Sequence, residues 1–177
     1  DTILCAASPT WDQRETEASM SELSDGTARP VPDAVIVTGA GRGIGRAIAL
    51  DLGTAGAHVL CLSRTENADG TAAEIREKGG RAEGLVLDLA EYQEVERAVR
   101  QRVEALSVGR WGVVLAAGIL GPAGPLAACS LVEWDACHRV NVLGNLGVLR
   151  GTLPAMVDAR FGRVVFFAGG GAAYANP

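Results

Sequence analysis

Residues 38–45 read Thr38-Gly39-Ala40-Gly41-Arg42-Gly43-Ile44-Gly45, directly after the apolar run Ala34-Val35-Ile36-Val37. An apolar run, a glycine-rich stretch and an amphipathic segment describe a strand, a tight turn and a helix start. The chemistry open to such a unit is the binding of two phosphates by backbone alone. Gly39 lets the strand turn sharply. Gly43 and Gly45 keep side chains off the approach of backbone to pyrophosphate and of helix to strand. The helix beginning near Gly43 then aims free N–H groups and the positive end of its dipole at the phosphates. The spacing TGxxxGxG, in this strand-to-helix setting, predicts a dinucleotide site that includes Gly39, Arg42, Gly43, Ile44 and Gly45.

The elements that must hold this turn follow from periodicity. Short continuous apolar runs predict strands over 34–38, 58–62, 83–87, 112–116 and 163–168, each covered on both faces. Amphipathic segments predict helices over 43–55, 67–78, 91–106 and 131–158. In the third, Tyr92, Val95, Val99, Val103 and Leu106 recur at steps of three and four, which puts one stripe into a core. Gly79-Gly80 supplies a helix stop that tolerates positive φ, and Pro154 predicts a kink inside the last helix. Strict β/α alternation implies a doubly wound parallel sheet in three layers, α/β/α, with right-handed crossovers. The expected strand order is 3-2-1-4-5, with ligand at the carboxyl ends of strands one and four, where the winding reverses.

Composition narrows the function. The chain has 177 residues and a net charge of −5, which argues against nucleic acid as a partner. No apolar stretch approaches the length of a membrane span. Residues 1–32 are rich in Ser, Thr, Glu, Asp and Pro and read as a flexible tail, leaving 33–177 as the dinucleotide-binding domain. Met20 lies close before the first strand and reads as the natural start. Cys5, Cys61, Cys129 and Cys137 show no metal-ligand spacing. Cys61, inside an apolar run, reads as a core residue and the others as free thiols, consistent with a cytoplasmic location. The lone His58 and His138 read as packing or surface residues, and no metal site is expected.

With these residues the chain resembles the short-chain dehydrogenase/reductase family, a single Rossmann-type domain. The likeness runs from about Ala34 to the C-terminus. Asp88-Leu89 resembles the pair that contacts adenine. Leu115-Ala116-Ala117-Gly118 resembles the family's Asn-Asn-Ala-Gly after strand four, with Ala117 and Gly118 letting the backbone pass close to the cofactor. Trp134 and Val140-Asn141-Val142 resemble the helix that carries the catalytic Asn, which places Asn141 in that role. Gly162-Arg163-Val164-Val165 resembles the entry to strand five. The resemblance implies hydride transfer between a nicotinamide and a small-molecule carbonyl or alcohol. It also implies a parent protein that is a homodimer or homotetramer.

It further implies which nicotinamide cofactor is used. An acidic residue ending strand two would bind the ribose 2′-hydroxyl and repel a 2′-phosphate. By resemblance Ser63 takes that position, Arg64 follows it, and Arg42 lies in the glycine turn on the same side. Two guanidiniums near one phosphate make forked, charge-assisted hydrogen bonds. The expected cofactor is NADP, with NAD as second choice.

The family's remaining chemistry is a Ser ending strand five, then a Tyr with a Lys four residues later. The Ser falls at Ala168 or Gly169, neither of which has a hydroxyl. Tyr174 follows too closely to be the family Tyr and reads as a loop residue. No YxxxK occurs in the chain, so the domain is read as C-terminally incomplete, stopping before the catalytic helix and inactive alone. The alternative is a catalytically degenerate dinucleotide-binding module. Gly121-Pro122-Ala123-Gly124-Pro125 reads as a stiff loop over the cleft, and Leu126 beside it as a packing residue or an apolar substrate contact.

Overall fold

The computed structural model describes residues 31–167. The tail reading, Met20, Cys5, Ala168, Gly169 and Tyr174 lie outside the described residues. Five strands alternate with helices: β1 (Ala34–Thr38), α1 (Gly43–Thr54), β2 (His58–Ser63), α2 (Asn67–Glu77), β3 (Arg81–Val86), α3 (Tyr92–Leu106), β4 (Trp111–Leu115), α4 (Leu131–His138), α5 (Asn145–Asp158) and β5 (Gly162–Phe166). A single 3₁₀ turn, Leu126–Ala128, precedes α4. All strands pair in parallel, in the order β3-β2-β1-β4-β5. The expected sheet order is therefore the one found.

Every residue of β1 and of β4 is buried, as continuous apolar runs require in a sheet covered on both faces. Alternate strand residues feed two cores. One face presents Ile36, Leu60, Leu62 and Val113 to Val95 and Val99 of α3 and Val148 and Met156 of α5. The other presents Val35, Val37, Val59 and Cys61 to Ala49 of α1 and Ala68, Ala72 and Ile75 of α2. Small side chains dominate the second core, so α1 and α2 lie close on the sheet. Cys61 is fully buried in it, and desolvation pushes its thiol up to about 12. It is a core residue, as its apolar neighbours imply.

Several boundaries move for physical reasons. β3 begins at Arg81, paired with His58, and carries Glu83. An edge strand needs apolar partners on fewer sides, so its polar start left no apolar run to read. β5 ends at Phe166. At the end of α2, Gly79 (φ +85°) and Gly80 close a Schellman motif: the N–H of Gly80 donates to the Ile75 carbonyl at 2.9 Å and that of Gly79 to the Arg76 carbonyl at 2.9 Å.

The expected helix over 131–158 is present, but it breaks where no proline stands. Arg139–Gly144 is a π-helical segment between α4 and α5. Pro154 instead sits within α5, which runs on to Asp158. The carbonyl four residues before it, that of Arg150, accepts from the Arg100 guanidinium at 3.5 Å. That bond serves the group a proline leaves without its N–H partner. π segments are often found at functional sites, and this one contains Asn141.

Candidate functional site

The carboxyl ends of β1, β2, β3 and β4 open into one cleft of about 820 Å³. The glycine turn forms its floor. Gly39 takes φ +68°, and a Cβ there would lie 3.0 Å from the Ala117 backbone. A Cβ on Gly45 would lie 2.4 Å from the Gly39 carbonyl oxygen. The first position needs glycine for backbone conformation as well as space. The second needs it only for the close approach of α1 to the turn.

Three hydrogen bonds tie the turn to its neighbours. The Ala40 N–H donates to the Leu62 carbonyl at 3.1 Å. The buried Thr71 hydroxyl donates to the Ala40 carbonyl at 2.9 Å. The Thr38 hydroxyl accepts from the Ala117 N–H at 3.0 Å, joining β1 to the segment after β4. That last bond stands where Leu115 and Ala116 offer no side-chain amide. Leu115 is buried in the core.

No side chain caps α1, whose N-cap is Arg42 in extended conformation. The N–H groups of Gly43, Ile44 and Gly45 are the first of the helix and lack intrahelical acceptors by position. They meet the cleft at the positive end of the helix dipole, and all three residues line it. Ile44 is 65% exposed there.

Ser63, Arg64 and Thr65 line the far wall, beyond β2. The Ser63 hydroxyl closes a local turn, donating to the Thr65 carbonyl and accepting from its N–H at 3.3 Å. No carboxylate stands at this strand end. Arg42 and Arg64 are exposed, line the same cleft and form no ion pair among the described residues. Asp88 and Leu89 form the side toward β3. The Asp88 carboxylate accepts from the Ala90 N–H at 2.9 Å, which turns the loop into α3. Ala117, Gly118 and Ile119 form the side toward β4.

The structure thus brings Gly39, Arg42, Gly43, Ile44, Gly45, Ser63, Arg64, Asp88, Leu89, Ala117 and Gly118 to one cleft. Asn141 does not line it, although Val140 does. The Asn141 side chain is spent on a backbone pair: Oδ1 accepts from the Ile119 N–H at 2.8 Å, and Nδ2 donates to the Ile119 carbonyl at 2.8 Å. Three residues at or around the turn go beyond those expected. Gly41 lines the cleft, and a Cβ there would lie 2.7 Å from Asn67 Cβ. Thr38 and Thr71 hold the turn from outside it. A threonine among helix residues is the one sequence signal for Thr71, and it is weak without its partner.

A family model described as short chain dehydrogenase matches residues 33–177. The chain belongs to the short-chain dehydrogenase family. The 3-oxoacyl-(acyl-carrier-protein) reductase of Aggregatibacter actinomycetemcomitans is 35% identical over 136 residues, 75% of this chain and 55% of that protein. A metagenomic short-chain oxidoreductase solved in complex with NADP is 35% identical, with TM-score 0.73, over 82% of this chain and 64% of that one. Carveol dehydrogenase from Mycobacterium avium, solved in complex with NAD, superposes with TM-score 0.74 over 85% of this chain and 59% of that one. At 23% identity it shows the fold alone. The chain spans about half the length of the curated relatives it matches.

The cleft described above is thus that of a short-chain dehydrogenase family member, and the 35%-identical solved relative holds NADP. Its floor offers backbone N–H groups, and its wall carries Arg42 and Arg64, which form no ion pair among the described residues. Among the described residues there is no group of His, Cys, Asp and Glu able to hold a metal ion. No helix among them is long and apolar enough to cross a membrane.

Proposed function

We propose that this chain carries the cofactor-binding part of an NADP(H)-dependent oxidoreductase that moves a hydride between nicotinamide and the carbon of a carbonyl or alcohol. The observation that carries the choice of NADP is the wall after β2. It presents Ser63 and Arg64 instead of a carboxylate, and Arg42 faces the same cleft from the glycine turn. A 2′-phosphate placed there meets two guanidiniums and no repelling charge. The pyrophosphate lies over Gly43, Ile44 and Gly45, adenine beside Asp88 and Leu89, and the nicotinamide toward Ala117 and Gly118.

Asn141 belongs to the same reading. It acts at the nicotinamide end, and its side chain reaches that end through Ile119. The parent protein is a cytoplasmic homo-oligomer acting on a small organic carbonyl or alcohol. Its dinucleotide-binding domain lies within residues 33–177.

Titration of nicotinamide fluorescence tests this. NADPH should bind at least about tenfold more tightly than NADH, the ratio expected from one or two charge-assisted hydrogen bonds. Equal affinities would overturn the choice of NADP, and failure of both to bind would overturn the site. A catalytically degenerate binding module is the second reading, favoured by Ala168 and Gly169 at the family Ser position. Reductase activity of the parent protein toward simple ketones would exclude it.

A further inference from the structure

We propose that Cys137 is a positioning residue for the nicotinamide end of the cleft, a role that rests on the dinucleotide reading above. Cys137 lies one helical turn before Asn141, and both side chains face the segment leaving β4. The Cys137 sulfur accepts from Asn141 Nδ2 at 3.2 Å. Its thiol lies 3.8 Å from the Ile119 carbonyl, to which it donates. A Cβ on Gly121 would meet the same sulfur at 3.4 Å, and one on Gly118 would meet Asn141 Oδ1 at 3.3 Å. Two side chains on one face of α4 and the π segment therefore hold Ile119 and lie close to Gly118 and Gly121.

The grip has a consequence for the cleft because Gly118 and Ile119 line it. Asn141 has two amide hydrogens and one carbonyl oxygen. Ile119 takes one hydrogen and supplies a donor to the oxygen; the second hydrogen goes to sulfur. Without an acceptor at position 137 the amide loses the contact that holds its plane, and the Ile119 pair is free to turn. The sulfur also fills the gap under Gly121, so the turn cannot settle toward α4. The phosphate and adenosine end is built by other elements: the glycine turn, α1 and the end of β2. The effect of Cys137 is local to one half of the ligand.

That asymmetry supplies the test. The 177-residue chain and its Cys137→Ala and Cys137→Ser variants are titrated with NADPH, which fills both halves, and with adenosine 2′,5′-bisphosphate, which fills only the adenosine half. Cys137→Ala should weaken NADPH about three- to tenfold, as loss of one or two neutral hydrogen bonds does, and change the emission of the bound nicotinamide. Its affinity for the bisphosphate should stay within about twofold of the parent's. Cys137→Ser, which keeps a small donor and acceptor, should restore most of the loss. Unchanged NADPH affinity in Cys137→Ala would overturn the proposal. So would equal weakening of both ligands, which signals general loosening of the fold. If the unsubstituted chain binds neither ligand, the dinucleotide reading itself falls and this one with it.

Discussion

The two ends of the same sheet are built on opposite principles. At the carboxyl ends of the strands, groups have no partner among the described residues: the first N–H groups of α1, and the guanidiniums of Arg42 and Arg64. At the amino ends charged groups are held in pairs and stacks. Asp33 and Arg110 form a forked ion pair with contacts of 2.6 and 3.1 Å, and the Asp33 carboxylate also accepts the Arg110 N–H at 3.0 Å. The Arg110 and Arg163 guanidiniums stack on the Phe161 ring at 5.9 and 4.9 Å. Arg110 holds the Asp33 carboxyl below the usual carboxylate range. One end is left incomplete so that a ligand can complete it, and the other is closed so that the strands stay in register.

The largest expected effect is at the open end. Gly45→Val places atoms on the Gly39 carbonyl and separates α1 from the turn. It should lower stability by about 2–3 kcal/mol and abolish NADPH binding, as read by urea unfolding and fluorescence titration. A variant that keeps its affinity would show that the floor of the cleft is not the glycine turn.

Arg64→Ala sharpens the contrast by removing a cation that lines the cleft. Its stability should be unchanged within about 0.5 kcal/mol, while the preference for NADPH over NADH shrinks about tenfold. Arg110→Ala is the mirror experiment at the closed end: the thermal midpoint falls and the NADPH to NADH ratio stays constant. Its effect is moderated because the Asp33 carboxylate is well exposed and keeps bonds to water.

Acidification addresses the same end. Asp33, Glu74 and Glu96 all have carboxyl groups held below their ordinary range, by Arg110, Lys78 and Arg150 respectively. A depressed folded-state pKa contributes stability above the unfolded value, and that contribution is lost as pH falls through the folded one. His58 is also lowered, by burial, and so must gain a proton at a cost as pH drops below its ordinary value. Stability should therefore decline monotonically from neutral pH downward, first from His58 and then from the carboxylates. Denaturant midpoints across that range measure it, and a maximum at acidic pH would contradict these assignments. The smallest expected change is at Ser107, which ends α3 in the left-handed region at φ +46°. Ser107→Gly should raise stability by about 0.5–1 kcal/mol without touching the cleft.

Legibility in the sequence follows the range of the interactions. The glycine turn was readable because its strand, its turn and its helix are contiguous. The β/α alternation was readable because side-chain period is a local property. The start of β3 was not, since Arg81 and Glu83 are tolerated only because the strand is an edge. The π segment at Arg139–Gly144 was not, since no local residue pattern marks it. Asn141 resembles a family residue, yet nothing local points to Ile119 as its partner.

By itself the sequence determined the make-up of the cleft: a glycine turn that forms a cradle between a buried strand and a helix, followed by a strand end with arginine in place of a carboxylate. These depend on backbone sterics, on helix dipoles and on charges a few residues apart. Tertiary structure alone decided what holds the cradle in place. Thr71 reaches Ala40, Thr38 reaches Ala117, Asn141 and Cys137 reach Ile119, and Gly144 lets Leu89 approach, a Cβ there meeting its carbonyl oxygen at 2.4 Å. Each partner lies 18 or more residues away, and its position exists only once the crossovers have ordered the strands as 3-2-1-4-5.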